Sequence, residues 1–305
     1  MSESNSNYHK PVMLKECIEG LDIRPEGVYV DLTFGGGGHS RAILEKLNGG
    51  HLYAFDQDQD AKANAEKINN SSFTFIEGNF RYLKRYLKMY GVKAVDGVLG
   101  DLGISSHQID DAKRGFSTRF DAELDMRMDQ SATKTARQVV NEYSEEDLHR
   151  ILGMYGEVRN ARTLARAIVA ARINAEIRTI EDLKRILNKY VKRGKENRYY
   201  AQVFQAIRIE VNEELKALEE VLEQSSELLA TEGRLVIMSY HSLEDRLVKN
   251  YIMKGKVSGD VEKDFYGNVI KPLEAVTRKP VTASEDELKE NNRARSAKLR
   301  IAKKL

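Results

Sequence analysis

Short apolar runs alternate with amphipathic stretches over the first hundred residues. "GVYVDL" (27–32), "HLYAFD" (51–56), "SFTFIEG" (72–78) and "AVDGVLGDL" (94–102) are β-branched or apolar runs separated by helical patterns. Alternation of this kind predicts a parallel α/β sheet. After residue 103 the alternation stops and the pattern turns helical. Ser144 opens a segment with Leu148, Ile151, Leu152 and Tyr155 on one face, and Thr179 opens another with Leu183, Ile186, Leu187 and Tyr190. Ser144 with Asp147, and Thr179 with Asp182, are capping-box variants in which Asp replaces the usual Glu or Gln. From about Ala201 a long helix is expected, with Phe204, Ile207, Val211, Leu215, Leu218 and Leu222 at helical spacing; "EGRLVIMSYHS" (232–242) then returns to a buried strand. The economical organisation is one α/β domain in two parts, 1–108 and 199–305, with a helical subdomain of residues 109–198 inserted between them. The opening "MSESNSN" is expected to be disordered, and no internal repeat is present.

Composition narrows the setting. With 305 residues, 41% of them hydrophobic, the chain can build one large or two modest cores. The single cysteine, Cys17, excludes a disulfide framework and a multi-cysteine zinc site. No secretory h-region and no apolar stretch of about 18 residues is present, so a cytoplasmic location and no membrane partner are expected. Net charge is only +2, but Lys184–Arg198 and Lys289–Lys304 are strongly basic, with an acidic helix between them. Such runs are solvated helix faces and tails or phosphate-binding surfaces, and the sequence leaves both readings open.

"VDLTFGGGGHSRAILEKL" (30–47) sets four consecutive glycines between a strand and a helix. Small residues at such a junction let backbone N–H groups approach a ligand closely. Asp56 ends the second strand about 20 residues on, where a carboxylate can accept the hydroxyls of a ribose. The G-x-G-x-x-G dinucleotide fingerprint is not met: counting from Gly35 puts Ser40 in its last place, and counting from Gly36 puts Arg41 there. Asp31, four residues before Gly35, would face a pyrophosphate unfavourably, whereas S-adenosylmethionine has no phosphate and carries a sulfonium and an ammonium. Asp101 ends the fourth strand in "LGDLGISSHQ" (99–108), at the carboxyl edge where open α/β sheets bind ligands. It can accept an N–H from an exocyclic amine, meet the cationic end of a cofactor, or cap the next turn.

"VDLTFGGGGHS", "FDQD", "GNF", "GDLGISSHQID", "RGFS", "LDMRMD", "FQAIRIEVNEEL", "SYHSLEDRLVK" and "NRARSAKLRIA" run in this order from about Tyr8 to the C-terminus. Together they resemble the bacterial ribosomal small subunit methyltransferase H family, also called MraW. "HSLEDR", "LDMRMD" and "RARSAKLR" are far more specific than any glycine loop. The resemblance implies a Rossmann-like S-adenosylmethionine-dependent methyltransferase sheet with an inserted all-helical subdomain. It implies an enzyme that moves a methyl group from S-adenosylmethionine to the N4 amine of one cytidine in the decoding region of 16S ribosomal RNA. The cofactor contacts it implies are Gly37, Gly38, His39, Asp56, Phe80, Asp101 and Gln108, with Asp101 also the catalytic candidate. Direct displacement needs no covalent enzyme–base adduct, and Cys17, in an expected amphipathic helix before the first strand, reads as a buried structural thiol.

Within "KRGFSTRFDAELDMRMD" (113–129), Phe116 and Phe120 are candidates to stack a base and Arg114, Arg119 and Arg127 to meet phosphates; core packing and surface pairing are the alternatives. His9, His51, His107, His149 and His241 show no metal-ligand spacing, and no metal is expected. The partner implied is 16S RNA within a near-complete small subunit, with the target base extruded; a homodimer stays open, although no heptad seam supports one. A nicotinamide-dependent dehydrogenase and a non-catalytic ribosome-assembly factor are the alternative functions for this fold. The chain departs from the family pattern at "ENRYYAQV" (196–203), in the shorter, more charged region after Lys254, and at His107, where many members have proline.

Overall fold

The computed structural model describes residues 11–305, so the expectation for residues 1–7 lies outside it. The described chain opens with α1 (Leu14–Leu21), β1 (Val28–Asp31), α2 (Gly38–Leu44), β2 (His51–Asp56), α3 (Gln59–Ala65), β3 (Phe73–Glu77), α4 (Leu83–Met89) and β4 (Val95–Asp101). A run of helices follows: α5 (Ser106–Asp110), α6 (Ala136–Glu142), α7 (Glu145–Met154), α8 (Ala161–Asn174), α9 (Ile180–Leu187) and α10 (Glu196–Asn212). The chain closes with α11 (Glu214–Leu228), β5 (Leu229–Ser239), α12 (Ser242–Lys254), β6 (Leu273–Ala275), α13 (Glu285–Glu290) and β7 (Lys298–Lys304).

The strands form one sheet in the order β3-β2-β1-β4-β5-β7-β6. The pairings β1–β2, β2–β3, β1–β4 and β4–β5 are parallel, and β7 runs antiparallel to both of its neighbours. Successive strand residues point to opposite faces. Leu235 and Ile237 pack with Val30, Val98 and residues of α4, α11 and α12, whereas Val236 and Met238 pack with Tyr29, Leu99 and residues of α1 and α2. Both faces are therefore covered, which is why the central strands read as continuous apolar runs. The chain order reverses direction between β1 and β4, and in such sheets the carboxyl ends flanking the reversal form the ligand crevice.

The chain divides into two compact units, a sheet unit through Gly103 and again from Leu215, and a helical unit of Ile104–Glu214. The helical unit has its own core, in which Val139, Leu148, Ile151, Leu164, Leu183 and Phe204 are buried together. It extends beyond the 109–198 expected from sequence because α10 packs there: Tyr200, Val203, Ala206, Ile207 and Val211 belong to the same core. The single helix expected from Phe204 to Leu222 is two helices. Glu213, with φ 49°, breaks it, and Leu218 and Leu222 lie in the core of the sheet unit. The helix starts at Ser144 and Thr179 are as expected, each side chain accepting the N–H of its Asp three residues on.

The β1–β2 register depends on Gly50. Its N–H and that of Asn48 both donate to Pro25 O, and His51 donates to Gly27 O. A β-carbon on Gly50 would lie 2.3 Å from Gly27 O and 2.7 Å from Pro25 O, both backbone atoms held by these bonds. Gly50→Ala is expected to lower the denaturant midpoint by the equivalent of about 1–3 kcal/mol, the usual cost of overpacking, with an unchanged m-value. An unaltered midpoint would show that this turn opens without cost.

Candidate functional site

Three neighbouring parallel strands each end in an aspartate: β1 in Asp31, β2 in Asp56 and β4 in Asp101. Each carboxyl is held by groups from the loops that follow the strands. Asp31 is 1% exposed and accepts from Ser40 Oγ at 2.7 Å and Thr33 N at 3.0 Å. Asp56 accepts the N–H of Gly35 at 2.7 Å on one oxygen and that of Asp58 at 2.9 Å on the other. Asp101 accepts the Tyr240 hydroxyl at 2.7 Å, and its own N–H donates to Thr33 Oγ1. Burial raises the pKa of all three; for Asp56 and Asp101, burial with a smaller contribution from the charge of Asp31 brings it up to about 6.

The glycine loop binds itself to this edge. Gly35 has φ +50° and open space where a β-carbon would sit, with nothing within 4 Å. Gly37 has φ +76°, and a β-carbon there would lie 2.7 Å from the Phe34 ring; one on Gly38 would lie 2.2 Å from Pro11 Cγ. These two glycines thus make room for the chain's own packing, and Gly35 is the position that faces open space. His39, at the start of α2, is buried; its Nε2 lies 3.1 Å from Val12 O and its Nδ1 3.9 Å from Asp101 Oδ2. Phe80 is partly buried, and its neighbour Asn79 donates to Gln57 Oε1 at 2.7 Å, which ties the loop after β3 to the loop after Asp56. Asp31, Gly37, Gly38, His39, Asp56, Phe80 and Asp101 all belong to the sheet unit.

Sequence reasoning missed Tyr240. Its hydroxyl proton is held more tightly than usual by burial and by the charge of Asp101. Its backbone N–H donates to Glu244 Oε2 at 2.9 Å, and Glu244 is 3% exposed. The signal was present in "SYHSLEDR", where the strand end and capping residues of α12 are consecutive, but no spacing rule relates Tyr240 to an aspartate 139 positions away. Asp101 keeps 23% of its side chain exposed, so the pair is dry without being sealed. Cys17 is fully buried in the core beneath β5 and β7, with its thiol pKa raised by burial.

The remaining candidates belong to the helical unit. Gln108 is buried, and its side-chain oxygen accepts the Ser105 N–H at 3.0 Å in a capping box on α5. Arg114 is 6% exposed and donates to the carbonyls of Arg127 and Met128, and Phe116 is buried in the helical core. Arg127 holds Asp125 through two 2.7 Å bonds and donates to the carbonyls of Gln130 and Ala132. Arg114, Phe116 and Arg127 therefore serve the folding of the 113–129 segment, the packing and pairing alternative that the sequence left open. Arg119 and Phe120 are exposed, the guanidinium 5.7 Å from the ring centre and 3.5 Å from Asp110.

A 3-2-1-4-5-7-6 sheet with an antiparallel seventh strand, acid-ended strands at its switch point and an inserted helical unit defines a Rossmann-like methyltransferase fold. Across residues 6–305 the chain matches the model of the MraW methylase family and belongs to it. That family and fold are those of S-adenosylmethionine-dependent methyltransferases. Among similar proteins is the ribosomal RNA small subunit methyltransferase H of Cytophaga hutchinsonii, 62% identical over 297 residues that cover 97% of this chain and 99% of that one. Proteins of the same name from Christiangramia forsetii and Flavobacterium johnsoniae are 56% and 55% identical, each alignment covering 98% of both chains.

The two phenylalanines of the 113–129 segment separate packing from recognition. Phe116→Ala is expected to cost about 3–5 kcal/mol of stability as a buried aromatic truncation. Phe120→Ala is expected to stay within about 0.5 kcal/mol of the parent. Chemical denaturation of both variants checks this, and a near-neutral Phe116→Ala would return that ring to the list of base-stacking candidates.

Proposed function

We propose that this protein transfers a methyl group from S-adenosylmethionine to the N4 amine of a cytidine in the decoding region of 16S ribosomal RNA, acting on the small subunit. The observation that carries the reading is Asp101, oriented by Tyr240 and partly open at the carboxyl end of β4, in a chain of the MraW methylase family. The names of the relatives supply the ribosomal RNA, and the motif resemblance supplies the N4 position and the decoding region. The donor set fits the cofactor: Asp56 and Asp101 are acidic groups suited to hydroxyls and cationic centres, and a pyrophosphate would meet both unfavourably. When bound, S-adenosylmethionine supplies an electrophilic methyl carbon.

The side chains divide the remaining work. Each Asp56 oxygen accepts one backbone N–H and retains capacity for another donor, which suits a ribose diol. Phe80 offers an apolar ring for the adenosine. The lone pair of an exocyclic cytosine amine is delocalised into the ring, so an acceptor on its N–H favours attack, and the nitrogen must shed a proton afterwards. Asp101, with a pKa of about 6, is ionised at neutral pH yet basic enough to accept that proton. Tyr240 and Thr33 fix its orientation, and Cys17, being buried, takes no part. On the helical unit, Arg119 and Phe120 are the members of the 113–129 segment available to RNA.

Transfer of labelled methyl to unmodified small subunits and to naked 16S RNA, followed by nucleoside digestion, tests the reaction. N4-methylcytidine is expected on subunits, and its absence from both substrates despite cofactor binding would remove the substrate assignment. The role of Asp101 has its own test. Its ordinary pKa is 3.8 and its folded value about 6, so the native state binds the extra proton between about pH 4 and 6. Stability contributed by the protonated form is lost as pH rises through that window. Asp101→Asn is therefore expected to abolish transfer while raising Tm above pH 6, with the gain vanishing near pH 4. In the wild type, transfer should decline as pH falls through about 6. Retained transfer in Asp101→Asn would exclude Asp101 as the proton acceptor.

A further inference from the structure

Two basic runs stand out in the sequence, and the structure separates them. In the second, β7 is an internal strand with three of its four cations paired: Arg300 with Asp245 at 2.7 Å, Lys298 with Asp245 at 3.4 Å, and Lys303 with Glu232 at 3.2 Å. In the first, Lys184 and Arg185 pair with Glu181 and Asp182 on α9. Beyond that helix the pairing stops. Among the described residues, the side chains of Lys189, Lys192, Arg193, Lys195 and Arg198 are exposed and enter no hydrogen bond or ion pair. The same holds for Arg159 and Arg162, in the turn before α8 and in its first turn.

These two sets of cations are gathered by the first turns of α10. In "ENRYYAQV", at the start of α10, the Tyr199 hydroxyl donates to Asn160 Oδ1 at 3.1 Å and Gln202 Nε2 donates to Glu157 O at 3.2 Å. Both bonds fix the Glu157–Ala161 turn against α10. The next tyrosine, Tyr200, donates its hydroxyl to Asn188, the C-cap of α9, and so fixes the start of the 188–195 loop to the same stretch of helix. Tyr190 stands in that loop with 36% of its surface exposed. One end of the helical unit thus holds seven uncommitted cations on loops braced by three side chains of α10, with an aromatic ring among them. Seven cations against the two carboxylates of Glu157 and Glu196 leave this end net positive, and a polyanion relieves the repulsion among them.

We infer that this end of the helical unit, comprising the Glu157–Arg162 turn, the 188–195 loop and the first turns of α10, is a docking surface for the phosphate backbone of the substrate RNA. The inference rests on the ribosomal RNA reading above and adds the place where the RNA is gripped. The surface contributes affinity and not chemistry, since none of its residues belongs to the sheet unit that holds Asp101. The "ENRYYAQV" segment is then the brace of an RNA-binding surface.

The test compares Lys189→Gln/Lys192→Gln/Arg193→Gln/Arg198→Gln with a charge control, Lys88→Gln/Lys93→Gln, on the sheet unit. Binding to a decoding-region RNA fragment is measured against salt, alongside cofactor affinity and methyl transfer to unmodified subunits. Each lost phosphate contact lowers the slope of log K against log salt by about 0.7–0.9. The quadruple variant is therefore expected to lose roughly 3 from the slope and at least tenfold in RNA affinity, with cofactor affinity and kcat at saturating RNA unchanged and KM raised. Restoring arginine at 193 and 198 should recover about half of the slope. Wild-type slope and affinity in the quadruple variant, or an equal loss in the control, overturn the surface while leaving the methyltransferase reading intact. A wild-type protein that binds cofactor but neither binds nor methylates the RNA overturns both.

Discussion

Three aspartates that end neighbouring strands must be held in a dry edge of the sheet while staying able to ionise, and much of the local architecture follows from that demand. Dehydration alone would neutralise them. Each is met by donors that the chain supplies close by: Thr33 and Ser40 for Asp31, Gly35 and Asp58 for Asp56, Tyr240 for Asp101. The donors come from α2 and from the loops after β1, β2 and β5, so those segments cannot drift independently. Thr33 serves twice, giving its N–H to Asp31 and taking the Asp101 N–H on its hydroxyl. The glycine loop is shaped as much by this bonding and by Pro11 and Phe34 as by any ligand, and Gly35 keeps an open side.

A buried carboxylate with a raised pKa is a destabilising element at neutral pH, and the sheet must offset it. It does so with apolar layers on both faces, of which Leu52, Val98, Leu99 and Val236 are fully buried. Retaining three such groups side by side is hard to explain as packing, because each dehydrated charge costs stability that a neutral side chain would not. Strain of this kind accumulates where chemistry is done. Asp31, sealed at 1% exposure, adds its charge to the field at Asp56 and Asp101, so the three act as a set.

Much of this was legible in the sequence. Apolar runs located β1 to β4, and the terminal aspartates followed from where those runs end. What the sequence hid has physical causes. The break at Glu213 was invisible because the apolar stripe continues across it without Gly or Pro, although Val211 and Leu218 face different cores. Strand β7 was hidden in a basic run because its cations lie along partners that are remote in sequence, such as Asp245 and Glu232. Arg114 and Arg127 looked like phosphate ligands because composition cannot distinguish a guanidinium that braces carbonyls from one left in solvent.

That last ambiguity has a general resolution in this molecule. A cation's role is set by whether the fold supplies its counter-charge, and positions a few residues apart differ completely in this respect. Arg185 has Asp182 one helical turn away, whereas Arg193 follows the last turn of α9 into a loop where it forms no ion pair, the nearby Glu196 accepting the Gly194 N–H instead. Helical periodicity supplies pairs within a helix at i to i+3 or i+4, and once the helix ends that supply ends with it. The chain then places four further basic residues, Lys189, Lys192, Lys195 and Arg198, on either side of Arg193. Tyr199, Tyr200 and Gln202 spend their polar groups on bracing the turns that carry these charges and leave the charges unpaired. A fold that commits two tyrosine hydroxyls to ordering unpaired cations has shaped that surface for an anionic partner outside the chain.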